Sequence, residues 1–396
     1  MDSDPSIQAP LVPRFAQADL EEHSIARRRE WVEQRLGVNL SQIGAGGPSG
    51  PSVKGNIENP IGSVQMPLGI AGPLKVQGKY AEGVFYVPMA TTEGALVRSY
   101  ERGMTLLTRS GGVTARVVRD ENQISPSFSF RSMTDALAFM DWLATQGESV
   151  RTVAESTTRH GKLIAVEPSL VGRTVFARFR FTTGDAHGMN MIVGATSAAC
   201  EWILQQPDSK ALDFQIFSGL SSEKRPSGIL LNGGKGKTVV AEATIPRKRL
   251  RQYMRSEPEQ VVDLWNRTVV GNLKSNAIGY CGHYANGLTA VFIACGQDVA
   301  NVVNSAVGVT EFRCDANGDL YLSVTLPSLI VATVGGGVAL ATSRECLEIL
   351  GCFGTGRAKR FAEIVAATVL AGELSMAGAI VTGEFAAAHE RYGRNR

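Results

Sequence analysis

The chain has no CxxC pair, no HxxxH pair and only five histidines. Without those spacings, a zinc centre built from its own side chains is disfavoured. Its cysteines, Cys200, Cys281, Cys295, Cys314, Cys346 and Cys352, lie mostly in apolar company with no paired spacing. That pattern predicts reduced, buried thiols and a cytoplasmic address rather than a disulfide framework. A net charge of +3 is too small to argue for nucleic acid. The densest basic run, Arg27-Arg28-Arg29, is flanked by Glu21, Glu22 and Glu30, which reads as a solvated helix face. No apolar segment follows the acidic start Met1-Asp2-Ser3-Asp4-Pro5, so no secretory signal is expected. The apolar run from Leu329 to Leu340 is broken by Gly335-Gly336-Gly337 and falls short of a membrane span. No GxGxxG stands anywhere, which disfavours an ordinary Rossmann dinucleotide site. Gly236-Lys237-Thr238 looks like the end of a phosphate-binding loop, but Leu231 occupies the place of its required glycine. Gly233-Gly234-Lys235-Gly236 reads instead as a tight turn before a strand.

What is present is ordinary globular material, 44% hydrophobic and 19% charged. At 396 residues the chain exceeds what one core sustains, roughly 250–300 residues, so two or three domains are expected. Residues 14–37 carry helical spacing, and 44–56 are rich in Gly, Pro and Ser, a linker or loop. Glu93 to Leu107 reads as a helix. Between about 113 and 216 the order is a strand from Val113, a helix from Met133, strands at Leu163 and Thr174, and a helix from Asn190. That α+β order suits a small split-βαβ module. Beyond it the patterns predict a strand over 238–245, helices near 256–270 and 296–306, a strand over 320–326, and mostly helix over 357–391.

Three stretches carry chemistry. Val87-Pro88-Met89-Ala90-Thr91-Thr92-Glu93-Gly94 sets a lone carboxylate among small and apolar neighbours. Dehydration there would raise its pKa and let it hold a proton for a developing alkoxide. Alternatively, Glu93 caps the following helix. Gly184-Asp185-Ala186-His187-Gly188-Met189-Asn190-Met191 follows a strand and opens a helix, where backbone N–H groups face an anion. An Asp N-cap with a turn glycine fits equally. Thr333-Val334-Gly335-Gly336-Gly337 suggests close contact with a ligand, or a packing crossover.

Taken together, these segments resemble hydroxymethylglutaryl-coenzyme A (HMG-CoA) reductase, specifically the soluble catalytic part of its class I form. Glu58-Asn59-Pro60-Ile61-Gly62, Pro67 to Leu74, Met89 to Gly94 and Asp185 to Ile192 carry the likeness. Ser222-Glu223-Lys224-Arg225-Pro226, Ile293 to Asp298, Thr333 to Gly337 and Ala371-Gly372-Glu373-Leu374-Ser375 complete it, over roughly residues 14–396. The resemblance implies NADPH-dependent reduction of HMG-CoA to mevalonate and free CoA by two successive hydride transfers. It maps the catalytic roles onto Glu93, Lys224, Asp298 and His389. Lys224 would meet the carbonyl oxygen where negative charge develops. Glu93 would give the proton, Asp298 would couple the two, and His389 would protonate the departing thiolate. Read without the resemblance, Lys224 between Glu223 and Arg225 suits a surface lysine, Asp298 a helix N-cap, and His389 a solvated tail. Thr158 and Arg159 align with the pair that holds the adenosine 2′-phosphate, which suits an arginine fork. Asp185, Gly188, Met189 and Asn190 would line the nicotinamide and diphosphate path, close to Gly335 and Gly336. Ser218, Arg225, Arg267, His283 and Asn286 would contact the acyl-CoA.

The pattern also departs from the family's. Ile124 stands where an arginine commonly grips the HMG carboxylate, Glu223 where Asp is usual, Arg225 where Lys is usual and His187 where Met is usual. These leave open a reductase of the same mechanism acting on another acyl-CoA, and a non-catalytic CoA- or nucleotide-binding protein is the alternative of a different class. The familiar regulatory serine is Asn395 here, so no phosphorylation control is expected at that position. The implied architecture is α+β, with an N-terminal helical segment and linker (1–57) and a large α/β catalytic, CoA-binding domain (58–124 plus 217–396). A ferredoxin-like, split-βαβ NADP-binding domain (125–216) is inserted in it. A homodimer or higher homo-oligomer would place each active site between subunits, one giving Glu93 and Asp298 and the other the cofactor contacts, with no nucleic-acid or membrane partner.

Overall fold

Glycines and buried carboxylates set where the elements of this chain begin and turn. The computed structural model describes residues 13, 15, 21–44 and 53–384. Helix α1 (Glu22–Leu36) follows extended Glu21, residues 14 and 16–20 of the expected helix lying outside the described ones, and stops at Gly37, whose φ of 67° side chains resist. A single turn, α2 (Ser41–Gly44), follows. Strands β1 (Leu68–Gly78) and β2 (Glu82–Ala90) form an antiparallel hairpin, with Leu68 opposite Ala90 and Gln77 opposite Glu82. Helix α3 (Leu96–Arg109) leads into β3 (Val113–Ile124), a strand long enough to serve two sheets.

Next come β4 (Ser127–Ser129), α4 (Met133–Thr145), α5 (Gly147–Ser156), β5 (Lys162–Val171), β6 (Thr174–Thr182), α6 (Met189–Gln205) and β7 (Asp213–Gln215). The chain returns through β8 (Gly236–Ile245), α7 (Arg247–Met254), α8 (Pro258–Lys274), α9 (Tyr284–Ala294) and the turn α10 (Val302–Ser305). It closes with β9 (Val309–Cys314), β10 (Leu320–Leu329), α11 (Ala341–Ile349) and α12 (Ala358–Val381).

The first part of the sheet runs β2-β1-β3-β8-β10-β9, antiparallel except where the end of β1 meets the start of β3. At its far end β3 switches partner, and Asn122 to Ile124 pair with Phe181 to Phe179 of β6. From there the order is β7-β4-β6-β5, antiparallel throughout. Each part has its own core. Val175, Ala177, Phe179 and Phe181 alternate inward along β6 and pack with Phe128, Phe130, Phe139 and Ile192. The larger core gathers β1, β2, β8 and β10 around α3, α9 and α12.

Helix α12 is long and apolar enough to cross a membrane, yet 83% of its most apolar window is buried inside the protein. It crosses α3 at backbone contact. A Cβ on Gly103 would lie 2.0 Å from the Ala371 carbonyl oxygen, and one on Gly372 would strike the Tyr100 ring. From within this helix the buried Glu363 carboxylate accepts hydrogen bonds from the N–H groups of Lys79, Tyr80 and Ala81, fixing the β1–β2 turn. Helical turns at Val299–Asn301 and in α10 fall within the helix expected near 296–306, whereas α9 was not expected and ends before Gly296 turns the chain with φ 64°. Buried on nearly every side, α9 shows no amphipathic period to read.

Glu363→Ala strands buried N–H groups and should lower the unfolding free energy by about 2–3 kcal/mol in urea melts, Glu363→Gln by less. A loss under about 0.5 kcal/mol for the alanine variant would contradict this role.

Candidate active site

Residues 183–188 join β6 to α6, and a cavity opens beside them between the two cores. Gly188 begins α6 with φ 74°, and a Cβ on it would meet the Thr183 side chain at 2.6 Å. Asn122 Nδ2 donates to the His187 carbonyl at 2.9 Å and ties this loop to β3. Opposite, residues 218–227 turn tightly, with Ser222 and Lys224 both in the left-handed region, φ 52° and 53°. Such backbone persists only where neighbours hold it. Buried Asn304 does so. Its Oδ1 accepts from the Lys224 N–H at 2.9 Å, and its Nδ2 donates to the Ser222 carbonyl at 2.5 Å. Lys224 Nζ reaches Asp298 Oδ2 at 2.8 Å.

Asp298 is fixed in turn. It accepts from Ala300 N–H and from Asn301 Nδ2, each at 3.1 Å, so it caps the following turn while pairing with Lys224. Beneath Lys224, Glu223 forms an ion pair with fully buried Lys235, whose ammonium also donates to the Gln123 carbonyl at 3.0 Å. Burial pushes the Lys235 ammonium pKa down, while Glu223 opposes that shift. Gly335 and Gly336 hold φ 77° and 51° with open space where side chains would sit. Gly337 instead packs against the Gly296 backbone, so the triple glycine is both an open wall and a crossover. The cavity measures roughly 460 Å³, the size range of small-molecule sites. Its walls include His187 to Met191, Glu223, Lys224, Gln297, Asp298 and Val334 to Val338.

Of the residues singled out in the sequence, Lys224, Asp298, Gly188, Met189, Asn190, Gly335 and Gly336 meet here. Thr158 and exposed Arg159 lie on the α5–β5 loop, where Gly161 packs closely against Met191 of the cavity wall. Ser218 Oγ donates to the Ser125 carbonyl at 2.5 Å, and the Arg225 guanidinium lies over Gly219.

Other expectations need correction. Asp185 does not line the cavity. Its carboxylate accepts from the Gly356 and Ala358 N–H groups, at 2.8 and 3.0 Å, because α12 has no N-cap side chain of its own. Asp298 shares one chain's cavity with the expected cofactor loop rather than joining Glu93 opposite it. Glu93 is exposed on the loop before α3, neither dehydrated nor capping that helix, and its charge acts on nearby Tyr100. Tyr100 stacks on His283 at 5.8 Å. His283 Nδ1 lies 3.2 Å from the buried Glu373 carboxylate, and Asn286 follows in the first turn of α9. Glu93, His283 and Asn286 thus form a second locus on the chain. Arg267 is exposed on α8 and pairs with Asp263 at 2.7 Å. Ile124 is fully buried in the smaller core. His389 and Asn395 lie outside the described residues.

Sequence reasoning missed Asn304 and Lys235. A lone buried asparagine leaves no spacing signal, and its partners lie some eighty residues away. Lys235 does occupy a glycine turn, as read, but no acidic neighbour in sequence announces its partner Glu223.

A lysine–aspartate pair beside bare glycine backbone, in a cavity between two mixed helix-and-strand cores, defines an enzyme-type small-molecule site. The family model for hydroxymethylglutaryl-coenzyme A reductase matches residues 24–394. The chain belongs to this family. It is 44% identical to the 3-hydroxy-3-methylglutaryl-coenzyme A reductase of Methanocaldococcus jannaschii over 374 residues, 93% of this chain and 92% of that protein. To the reductase of the same name from Zea mays it is 35% identical, over 98% of this chain and 69% of the maize protein. In fold it matches the class II 3-hydroxy-3-methylglutaryl-CoA reductase of Streptococcus pneumoniae, solved bound to NADPH in open conformations. That match has a TM-score of 0.69 and 19% identity, covering 90% of this chain and 96% of that one.

Asn304→Ala should release the strained turn, lowering stability by about 1–3 kcal/mol and displacing Lys224. A crystal structure of the variant with Lys224 and Asp298 still at ion-pair distance would contradict the clamp.

Proposed function

We propose that this chain is an NADPH-dependent HMG-CoA reductase, a soluble cytoplasmic enzyme of the class I type, releasing mevalonate and free CoA. The observation that carries the reading is the Lys224–Asp298 pair facing the open backbone of Gly335 and Gly336. The closer sequence match to archaeal and plant reductases than to the class II structure supports the class.

The residues present fit a dinucleotide. The bare glycines leave a cradle that a Cβ would fill, and α6 points its N-terminal N–H groups at the same space. We read 125–216 as a ferredoxin-like cofactor domain inserted in a large catalytic domain, with 1–57 as the N-terminal segment. Thr158 and Arg159 would hold the 2′-phosphate, and Gly188, Met189, Asn190, Gly335 and Gly336 the remainder of the dinucleotide. Bound NADPH supplies hydride.

Lys224 would stand at the thioester oxygen and stabilise the charge that develops as the carbonyl is reduced to a hemithioacetal. Asp298 fixes the ammonium through its own two hydrogen bonds, so little reorganisation is required. When the carbon–sulfur bond breaks, the electron pair leaves on CoA sulfur and His389 would protonate it. Glu93 would then give its proton to the aldehyde oxygen during the second reduction. In one chain Glu93, His283 and Asn286 lie apart from Lys224, so we assign them to the neighbouring site of a homodimer or higher homo-oligomer. Arg225, Ser218 and a partner's Arg267 would receive the acyl group. Burial of Ile124 favours a second reading, the same chemistry on another acyl-CoA.

Purified protein should consume about two NADPH for each CoA released from HMG-CoA, the balance of reducing a thioester to an alcohol. Lys224→Ala should lower kcat by about 10³-fold, the scale of losing one preorganised charge stabiliser. Arg159→Ala should raise the KM for NADPH about tenfold and leave NADH use nearly unchanged. Turnover untouched by Lys224→Ala would sink the proposal.

A further inference from the structure

Two departures from the family pattern, His187 and Glu223, lie side by side in the cavity. His187 Nε2 is 3.9 Å from Glu223 Oε1, and that nitrogen is buried with no hydrogen-bond partner. Both side chains line the cavity next to Lys224. Glu223 is held in turn by Lys235, whose ammonium is fully buried. At 3.9 Å the His187–Glu223 contact is too long for a hydrogen bond, but it sets the buried Nε2 against the carboxylate and leaves Nδ1 as the nitrogen a ligand can reach.

The charge pattern says what kind of acyl group suits this wall. Lys224 pairs with Asp298, and Lys235 with Glu223. Ile124, at the place of the family's carboxylate-gripping arginine, is buried in the smaller core. Among the described residues, the lining therefore offers no cation without a carboxylate partner. On this wall an acyl carboxylate meets no unpaired cation, Arg225 and Arg267 of the reading above standing outside the lining, whereas a neutral hydroxyl matches an imidazole lone pair.

We propose that His187 is a specificity-determining residue that accepts a hydrogen bond from a hydroxyl on the acyl chain bound beside Lys224, with Glu223 and Lys235 as its positioning pair. The proposal rests on the reductase reading above and names the group that reads the acyl part.

The groups facing the imidazole are Glu223 and Lys224 from the 218–227 turn, Lys235 before β8, and Asp298 after α9. Burial holds its pKa below the ordinary histidine value, with Lys235 and Lys224 acting in the same direction and Glu223 and Asp298 against. The imidazole is thus a neutral acceptor at pH 7, and it loses that lone pair only as pH falls through the depressed value.

The test compares kcat/KM for three thioesters in wild type and His187→Met: HMG-CoA, 3-hydroxybutyryl-CoA with the hydroxyl alone, and glutaryl-CoA with the carboxylate alone. Wild type should favour the hydroxylated thioesters over glutaryl-CoA by about tenfold or more. His187→Met should shrink that preference to about twofold or less while leaving the ratio of HMG-CoA to 3-hydroxybutyryl-CoA nearly unchanged. In wild type the preference should fade only as pH falls below the ordinary histidine range, and in the variant it should not vary with pH. Glu223→Gln should weaken the preference and shift its pH dependence. An unchanged preference in His187→Met, or none in wild type, would overturn the assignment. If wild type reduces none of the three, the reductase reading fails separately. The same ratios then come from calorimetric binding of the thioesters, where loss of hydroxyl preference in His187→Met supports the assignment and its persistence overturns it.

Discussion

The site depends on a backbone that a lysine does not adopt unaided. Lys224 sits at φ 53°, and the buried amide of Asn304, bonded to both sides of the turn, helps hold that conformation. From that turn Lys224 projects to Asp298 in the cavity, while its neighbour Glu223 reaches the buried Lys235. Two opposite ion pairs thus spring from adjacent residues. Each charge has its counter-charge in place before a ligand arrives, the condition for electrostatic stabilisation without reorganisation.

Buried carboxylates do comparable work elsewhere. Glu363 in α12 organises the β1–β2 turn, Asp185 closes the N-terminus of α12, and Glu373 gathers the segment that leads into α9. Burial alone would raise the Glu373 pKa, but hydrogen bonds from His283 and the Gly282 and His283 N–H groups hold it below the usual carboxylate range. These acids tie α12 to the cavity rim and to the locus of Glu93. The helix that looks most like a membrane span is the axis of the larger core.

Much was legible along the chain because its signals are local. The alternation in β6 and the glycine before α6 each act through their own neighbours. Helices α4 and α6 and strands β6 and β8 therefore fall close to where periodicity puts them. α9 escaped because full burial erases the helical period, and the expected role of Asp185 failed because its partners lie more than 170 residues away. Within the site, Lys224, Asp298 and the glycines were recognisable from their motifs, whereas Asn304 and the Lys235–Glu223 pair were not.

The sequence by itself determined the family, through its ordered motifs, and many of the helix and strand periods, since these are read from residue type and short spacing. Tertiary structure decided which of the motif residues share a cavity. It put Asp298 with Lys224, left Glu93 and His283 at a separate locus, and set His187 against Glu223. The reason is physical: counter-charge, burial and backbone strain are properties of neighbours in space, and the chain folds those neighbours together from distant stretches.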